Sequence, residues 1–587
     1  MRTIRTMLSL FGLGFGAFPV LSIASTASMS IETELRSYDS TNAFTGYTLF
    51  GARGKSYLLD MRGRVAHVWS KCGANPRLLA YNGDLLDVVN SGYTFVEFNW
   101  AGDTVWSYTE KRSNYAPHHD FTRIYNKKLG QYTTLYIANK SLDTAAVLAA
   151  GADPANRPYD GAQMDAIVEV DMSGHIVWEW CFFDHLIQDV VPTKNNYVGS
   201  GKTIADYPNR LNANLPGRPI RRDWLHCNSL DYNEKLGQIV INCVQGEFYV
   251  INHDSTFVVG DSAASIAKAA SSTGDFIYRF GDPARYDQGT SPTISTDWTK
   301  SSTGDKQIGG AHDIQWIDSG LTGAGHFLIF NNGEYLYEMT PQSYIFEIDP
   351  YRNSSGVTTS TYVNSPDAGY YVWAADNSTN QMKENKNISN QVVWKYSSLN
   401  PSDFYSTIGS SAQRLPNGNT LICAMTTGDI FEVTDSGDVV WEYIIPVTSD
   451  GIKAVITDNL PMYNSAFRAY RYAPTFSAFT GKDLSATQTI VQMFGTSAIA
   501  NSGIAAMTNL TKHDLGVNIS RNTMHFTFAS EEETGRIMVT NSLGKIVMQR
   551  SGLSTRFDWD ASHLSQGVYF ATVNQGSQTI NRKFILR

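Results

Sequence analysis

Charge, cysteine and long apolar runs are all scarce in this sequence, and each scarcity removes a class of protein. Charged residues make up 17% of the chain and its net charge is −9. No basic run is long enough to track a phosphate backbone, so nucleic acid is not an expected partner. The five cysteines, Cys72, Cys181, Cys227, Cys243 and Cys423, are too few for a disulfide scaffold. None stands in a CxxC pair, which argues against thiol redox chemistry and a structural zinc site. Their number is odd, so at least one is unpaired within the chain. Cys227 and Cys243 flank one expected hairpin and could pair in an oxidising compartment. Without HxH or HExxH spacing no catalytic metal is expected, and no cofactor is required; a structural calcium ion in the loops stays open. There is no G-x-x-x-x-G-K-[ST] phosphate loop. Beyond the N-terminus nothing is apolar for long enough to cross a bilayer, so the mature chain is expected to have no transmembrane segment.

The N-terminus is read as a targeting segment. Arg2 and Arg5 precede an apolar run over residues 7–23, and the small residues at 24–28 offer a cleavage site after Ala27. Residues 1–27 are therefore expected to be a signal peptide, with the mature protein exported to the periplasm, the cell surface or the medium.

What the chain does have is aromatic residues, at 12%, in a pattern that repeats. A strand, a turn, a strand ending in an acidic residue, a turn with glycine and a strand closing on tryptophan recur six times. Trp69, Trp106, Trp178, Trp394 and Trp441 close five of the units. Short alternating strands between Gly, Asn and Asp turns are an all-β signal, and a four-strand unit repeated around an axis is a propeller blade. The expected fold is all-β: a six-bladed β-propeller over 46–476, a Ser/Thr/Ala/Gly-rich linker over 477–516, and a small β-sandwich-like domain over 517–587. The closing tryptophans are expected to pack between blades.

Four segments at 119–126, 226–233, 312–318 and 410–419 each lead into an apolar β-run. Aligned on those runs, His119, His226 and His312 share one place and Ser410 takes it in the fourth. A symmetric fold would gather them at its axis. His119, His226, His312 and Arg414, four residues beyond Ser410, are the candidate catalytic residues. His118, Asn228 and Ser410 are candidates for binding substrate. Strand alternation points Asp120 and Asp313 away from the site, toward structural turn bonding. The remaining histidines are read as structural.

The six-unit region resembles the bacterial arylsulfate sulfotransferase family over residues 46–472. The resemblance is carried by Asp223, Trp224, His226, Asn228 and Ser229, by the unit from His312 to Gly333, and by residues 411–422 with residues 440–443. It implies a six-bladed propeller that moves a sulfuryl group from an aryl sulfate donor to a phenol without a nucleotide donor, through a covalent sulfohistidine and by ping-pong kinetics. His226 and His312 match family histidines. The family's arginine after the 330–333 turn has no equivalent, since Glu334 follows, and no histidine lies between His326 and His513, where the nucleophile would stand. His119 with Arg414 as anion clamp could repair the mechanism. The last 70 or so residues, ending on Lys583–Arg587, resemble the sorting domain of proteins exported by the type IX secretion system, which implies that machinery as a partner.

The expected function is an exported arylsulfotransferase. The alternative is a catalytically degenerate propeller that binds sulfated or acidic glycans at the cell surface; a third reading is a hydrolase passing the group to water.

Overall fold

The computed structural model describes residues 30–89, 93–154, 161–214, 222–290, 304–333, 342–364, 367–368, 370–372, 387–398, 403–457, 464–495, 516–520, 523–527, 535–541, 545–553, 557–561, 564, 567–575 and 578–586. They form two compact units divided after Gly495. The signal peptide expected over 1–27 lies outside the described residues, as do half of the expected linker, residues 496–515, and residues 334–341.

The larger unit is a ring of six antiparallel four-stranded sheets. Six strands line its axis, one per blade: β1 (Arg77–Leu78), β2 (Tyr115–Asn126), β3 (Cys227–Asn233), β4 (His312–Trp316), β5 (Ser411–Arg414) and β6 (Ala469–Tyr472). The inner strand β6 belongs to the first blade, where it pairs with Tyr47–Ala52, so the last blade-forming strand closes the ring. Glu34–Tyr38 adds a fifth strand to the outer edge of the sixth blade.

Inner strands splay apart around an axis and leave backbone N–H groups without a ladder partner, which burial makes costly. Side chains of the preceding blade take them up. Leu78 N–H donates to Tyr472 Oη at 3.0 Å, Leu230 N–H to Asp120 at 2.9 Å, and Ile314 N–H to Ser229 Oγ at 3.0 Å. Trp316 N–H donates to Asp231 at 2.9 Å, Ala412 N–H to Asp313 at 3.0 Å, and Ala469 N–H to Ser411 Oγ at 3.2 Å. With Arg77 on Asp120 at 2.6 Å joining blades two and three, these links run once around the ring.

The closing tryptophans pack between blades as expected, and each hands its indole N–H to the next blade. Trp69 donates to Asn99 O, Trp106 to Met172 O, Trp178 to Thr256 Oγ1, Trp394 to Asp435 O and Trp441 to Met61 O, all within 2.8–3.1 Å. The fourth blade has no such Trp, and Tyr278 Oη on Gln391 at 2.8 Å makes the equivalent link to the fifth.

A second repeat lies beside the first. The acidic residue of one blade grips an arginine on the next inner strand, and that arginine lies over the closing tryptophan: Glu97–Arg123–Trp106, Glu347–Arg414–Trp394 and Glu432–Arg471–Trp441. Arg414 was expected at the axial site as an anion clamp. Instead its guanidinium is 2.5 Å from Glu347, 3.0 Å from Gly418 O and 4.8 Å from the Trp394 ring, at the far end of β5 from Ser410.

The propeller unit also extends past the boundary expected at 476. Ala478 and Phe479 fill the cluster under the first two blades, and Ile490, fully buried, joins the core of the first and sixth. Cys227 and Cys243 are disulfide-bonded across adjacent strands, while Cys72, Cys181 and Cys423 are free and buried. The smaller unit has a three-stranded and a four-stranded sheet sharing a core of Phe526, Ile537, Val539, Tyr569, Ala571 and Val573, a β-sandwich. Among the described residues no helix is long and apolar enough to cross a membrane.

Candidate active site

Where β2, β3 and β4 begin, each carries a β-bulge: between Pro117 and Phe121, between Cys227 and Ser229, and between His312 and Gln315. A bulge breaks the two-residue alternation of a strand and re-aims its side chains. His119 (φ 58°), His226 (φ 55°) and Asp313 (φ 57°) adopt left-handed backbone there, as does Ser410 (φ 83°) just before β5, which has no bulge. For residues other than glycine that conformation costs about 1–3 kcal/mol each and persists where the surroundings enforce it.

The bulges bring three expected histidines together at the axis, with His118 beside them. The His119 ring is centred 4.7 Å from His226 and 5.0 Å from His118. Nε2 of His119 and Nε2 of His226 are 2.9 Å apart, so one proton lies between them. His226 Nδ1 is hydrogen-bonded to the Asp223 carboxylate, which can only accept, so Nδ1 carries a proton. His118 Nε2 is 2.9 Å from Asp165.

His312 is held differently. Its Nδ1 is 2.7 Å from Gly310 O and 2.9 Å from Asn332 Oδ1. The Asn332 amide nitrogen is spent on Ser406 O and Gly409 O, which fixes Oδ1 as an acceptor. Both partners therefore accept, Nδ1 bears the proton, and the lone pair of the neutral ring sits on Nε2. Burial pushes His312 down to about 4, against the pull of its two hydrogen bonds. His119 is pushed down to about 2, by burial first and then by the like charges of His118, His226, His312 and Arg468. Both are neutral at neutral pH.

Asn228, expected as a substrate ligand, is fully buried and spoken for: its amide donates to Ala311 O at 2.8 Å and its oxygen accepts from Asn242. It braces the residue before His312. Ser410 is also fully buried, bonded to Ser406 Oγ and accepting from Met425 N–H. Asp120 and Asp313, expected to face away from the site and to bond structurally, are buried and accept the N–H groups of Leu230 and Ala412. Two residues that sequence reasoning missed join here: Arg468, which meets both aspartates, and Phe467, which lies beside the histidines. Phe467, half-buried, lies 6.2 Å from the His119 ring, nearly parallel to it, and 6.5 Å from His312, edge-on. Arg468 is 1% exposed, with its terminal nitrogens 3.0 Å from each Asp120 oxygen, Nε 3.1 Å from Asp313, and Asn228 O at 3.3 Å. Burial alone would raise Asp120; Arg468 and Arg77 outweigh it and hold that carboxyl below its usual range.

A signal for Phe467 was present. Phe467 and Arg471 repeat the spacing of Ser410 with Arg414 and of His119 with Arg123. Counting back one residue from the inter-blade acceptors Asp120, Ser229, Asp313 and Ser411 puts His119, Asn228, His312 and Ser410 at one level. In the fourth blade that place thus belongs to Asn228, and His226 reaches the cluster from two residues earlier.

Comparison with known proteins bears on what this arrangement does. The family model for arylsulfotransferase (ASST) matches residues 51–442. The chain belongs to the arylsulfotransferase family. The model for the secretion system C-terminal sorting domain matches residues 518–587, the β-sandwich, and implies export to the cell surface or beyond through the type IX system. No curated protein matches the sequence. Similar solved structures include a protein of unknown function from Bacteroides caccae (10% identity, TM-score 0.33, covering 71% of this chain and 99% of that one). Others are the β-propeller domain of Myceliophteria thermophila Cps50 (Swd1) (10%, 0.30, 70% and 89%) and virginiamycin B lyase from Staphylococcus aureus (10%, 0.26, 72% and 89%).

Proposed function

We propose that this arylsulfotransferase-family protein, exported with its signal peptide and sorting domain removed, moves a sulfuryl group from an aryl sulfate to a phenolic acceptor, without a nucleotide donor, through a sulfohistidine on His312. The observation that carries the reading is the pairing, at one end of the axis, of a neutral imidazole with a second, proton-sharing imidazole pair. His312 keeps its proton on Nδ1 and bears no hydrogen bond to a described residue on Nε2. His119 and His226 share one proton under the Asp223 carboxylate.

In the first half-reaction Nε2 of His312 forms a bond to sulfur as the bond from sulfur to the aryl oxygen breaks. With His226 as an imidazolium against the Asp223 carboxylate and His119 neutral, the departing phenolate takes the shared proton and leaves two neutral rings, and that protonation lowers the barrier to departure. The sulfated ring keeps its Nδ1 proton, and Gly310 O and Asn332 Oδ1 stabilise the positive charge on it. In the second half-reaction an acceptor phenol returns its proton to the pair, its oxygen bonds to sulfur, and the nitrogen–sulfur bond breaks. A neutral imidazole is a competent nucleophile at neutral pH, and the depressed His312 supplies one. Phe467 offers the aryl ring an apolar wall between His119 and His312.

The test is phenol release from nitrophenyl sulfate with and without a second phenol, followed by rapid quenching and mass spectrometry of the histidine peptides. Acceptor-dependent release with label on the His312 peptide, lost in His312→Ala, is expected. Label on another histidine, or no release from folded protein, overturns the assignment.

A further inference from the structure

We infer that Arg468 is a positioning residue, a single guanidinium spanning the propeller axis that fixes the separation of His119 and His312 by gripping the carboxylates that directly follow them. The inference rests on the transfer reaction proposed above for its kinetic readout, but its geometry stands apart from it. Arg468 precedes β6 in the first blade. It reaches Asp120 beside His119 in the third blade, Asn228 O in the fourth and Asp313 beside His312 in the fifth. The same two aspartates accept the backbone N–H groups of Leu230 and Ala412. The guanidinium therefore fastens three inner strands at the points where their bulges aim the histidines.

Three features set this apart from substrate binding or plain packing. The side chain is 1% exposed and its charge is met by two carboxylates, so it does not reach a ligand. With Arg77 on Asp120 at 2.6 Å, two arginines face two aspartates, and the cluster is electrically balanced. The fork is used as a fork: both terminal nitrogens meet both oxygens of Asp120, a geometry that lysine cannot reproduce.

The charge also acts on the imidazoles. His119 faces His118, His226, His312 and Arg468; His312 faces Arg468 and His226, with Asn332 and Gly310 O on its Nδ1. Arg468 is a fixed positive charge in both sets, and it favours the neutral rings that the reaction needs.

Two variants and two readouts test this on the full-length protein. Arg468→Lys keeps the charge and loses the fork. The combined variant Arg468→Gln with Asp313→Asn removes one charge of each sign and leaves the Arg77–Asp120 pair in place, so that no buried ion is left unpaired. Expected for Arg468→Lys is folded protein with kcat down about 10–100-fold and KM little changed, the scale on which small misplacements act. For the combined variant we expect a depressed kcat, and 15N-histidine NMR titration that moves His312 upward from about 4. Wild-type kcat in Arg468→Lys, or wild-type kcat with an unmoved His312 midpoint in the combined variant, overturns the positioning role. Should the wild type itself transfer no sulfuryl group, the proposed function fails. The histidine titrations of wild type and Arg468→Lys then decide the positioning role alone, unchanged His119 and His312 signals sinking it.

Discussion

Arg414 separates a reading from sequence from a reading from structure, and Arg414→Met makes the separation measurable. The substitution removes the guanidinium from Glu347 at 2.5 Å, from Gly418 O at 3.0 Å and from the face of Trp394, while its straight chain keeps much of the apolar contact. Glu347 is 9% exposed and is left as a nearly buried carboxylate. Losing one partner of a buried ion pair costs about 3–5 kcal/mol, mostly as the charge left behind. Here His326 stays 2.8 Å from the other carboxylate oxygen, so the lower end, about 3 kcal/mol, applies. Adding Glu347→Gln neutralises the orphaned charge and should return about half of the loss. Urea unfolding followed by tryptophan fluorescence reads the stability, and phenol release from nitrophenyl sulfate, well below the unfolding range, reads the chemistry. The expected outcome is a lowered unfolding midpoint with kcat/KM within about threefold of wild type. An anion clamp would behave in the opposite way, losing about 100-fold or more in rate, the scale of a lost transition-state donor. A rate loss of that size with an unchanged midpoint would refute the structural role assigned to Arg414.

Asp223→Asn removes the acceptor that keeps the proton on His226 Nδ1 and should lower kcat by at least about 100-fold with the fold intact, checked by circular dichroism and steady-state kinetics. Trp441→Phe strips the donor from the buried Met61 carbonyl and should cost about 1–3 kcal/mol in urea unfolding without changing kcat. His253 lies between Glu169 at 2.8 Å and Asp254 at 2.9 Å; burial opposes its charge, but the two carboxylates outweigh it and raise it from 6.5 to about 9. A raised folded value gives stability that is fully present below 6.5 and lost as pH rises through about 9. Thermal melts from pH 6 to 10 should show that decline, and His253→Gln should flatten it. The proposed nucleophile has its own window: kcat/KM should hold from neutral pH downward and fall near pH 4 as His312 takes up a proton, on a pH–rate profile.

Periodic features were legible in the sequence because each is repeated and local. The closing tryptophans, the strands that end in an acidic residue and the four segments that open on His119, His226, His312 and Ser410 announced six units. What escaped was direction. Arg414 stands four residues past Ser410 in the sequence, but a strand carries it to the other end of the blade, where Arg123 and Arg471 occupy the same station. Asp120 and Asp313 were read as structural, but their partners, Arg468 and the N–H groups of Leu230 and Ala412, lie in other blades. Residues 467–472 read as the end of a pattern because their blade begins some 420 positions earlier, at Tyr47. A contact such as Arg468 to Asp120 leaves no periodic trace.

That distance along the chain has a consequence for assembly. The axial site draws on blades three, four and five, all made before residue 464, yet its brace arrives with the segment that seals the ring. Until β6 docks beside Tyr47–Ala52, Asp120 and Asp313 lack their shared counter-charge and the first blade lacks its inner strand. Joining termini so far apart is a slow, non-local event in folding. The arrangement therefore comes last: a chain with its ring unsealed holds His119, His226 and His312 but not the brace that spaces them.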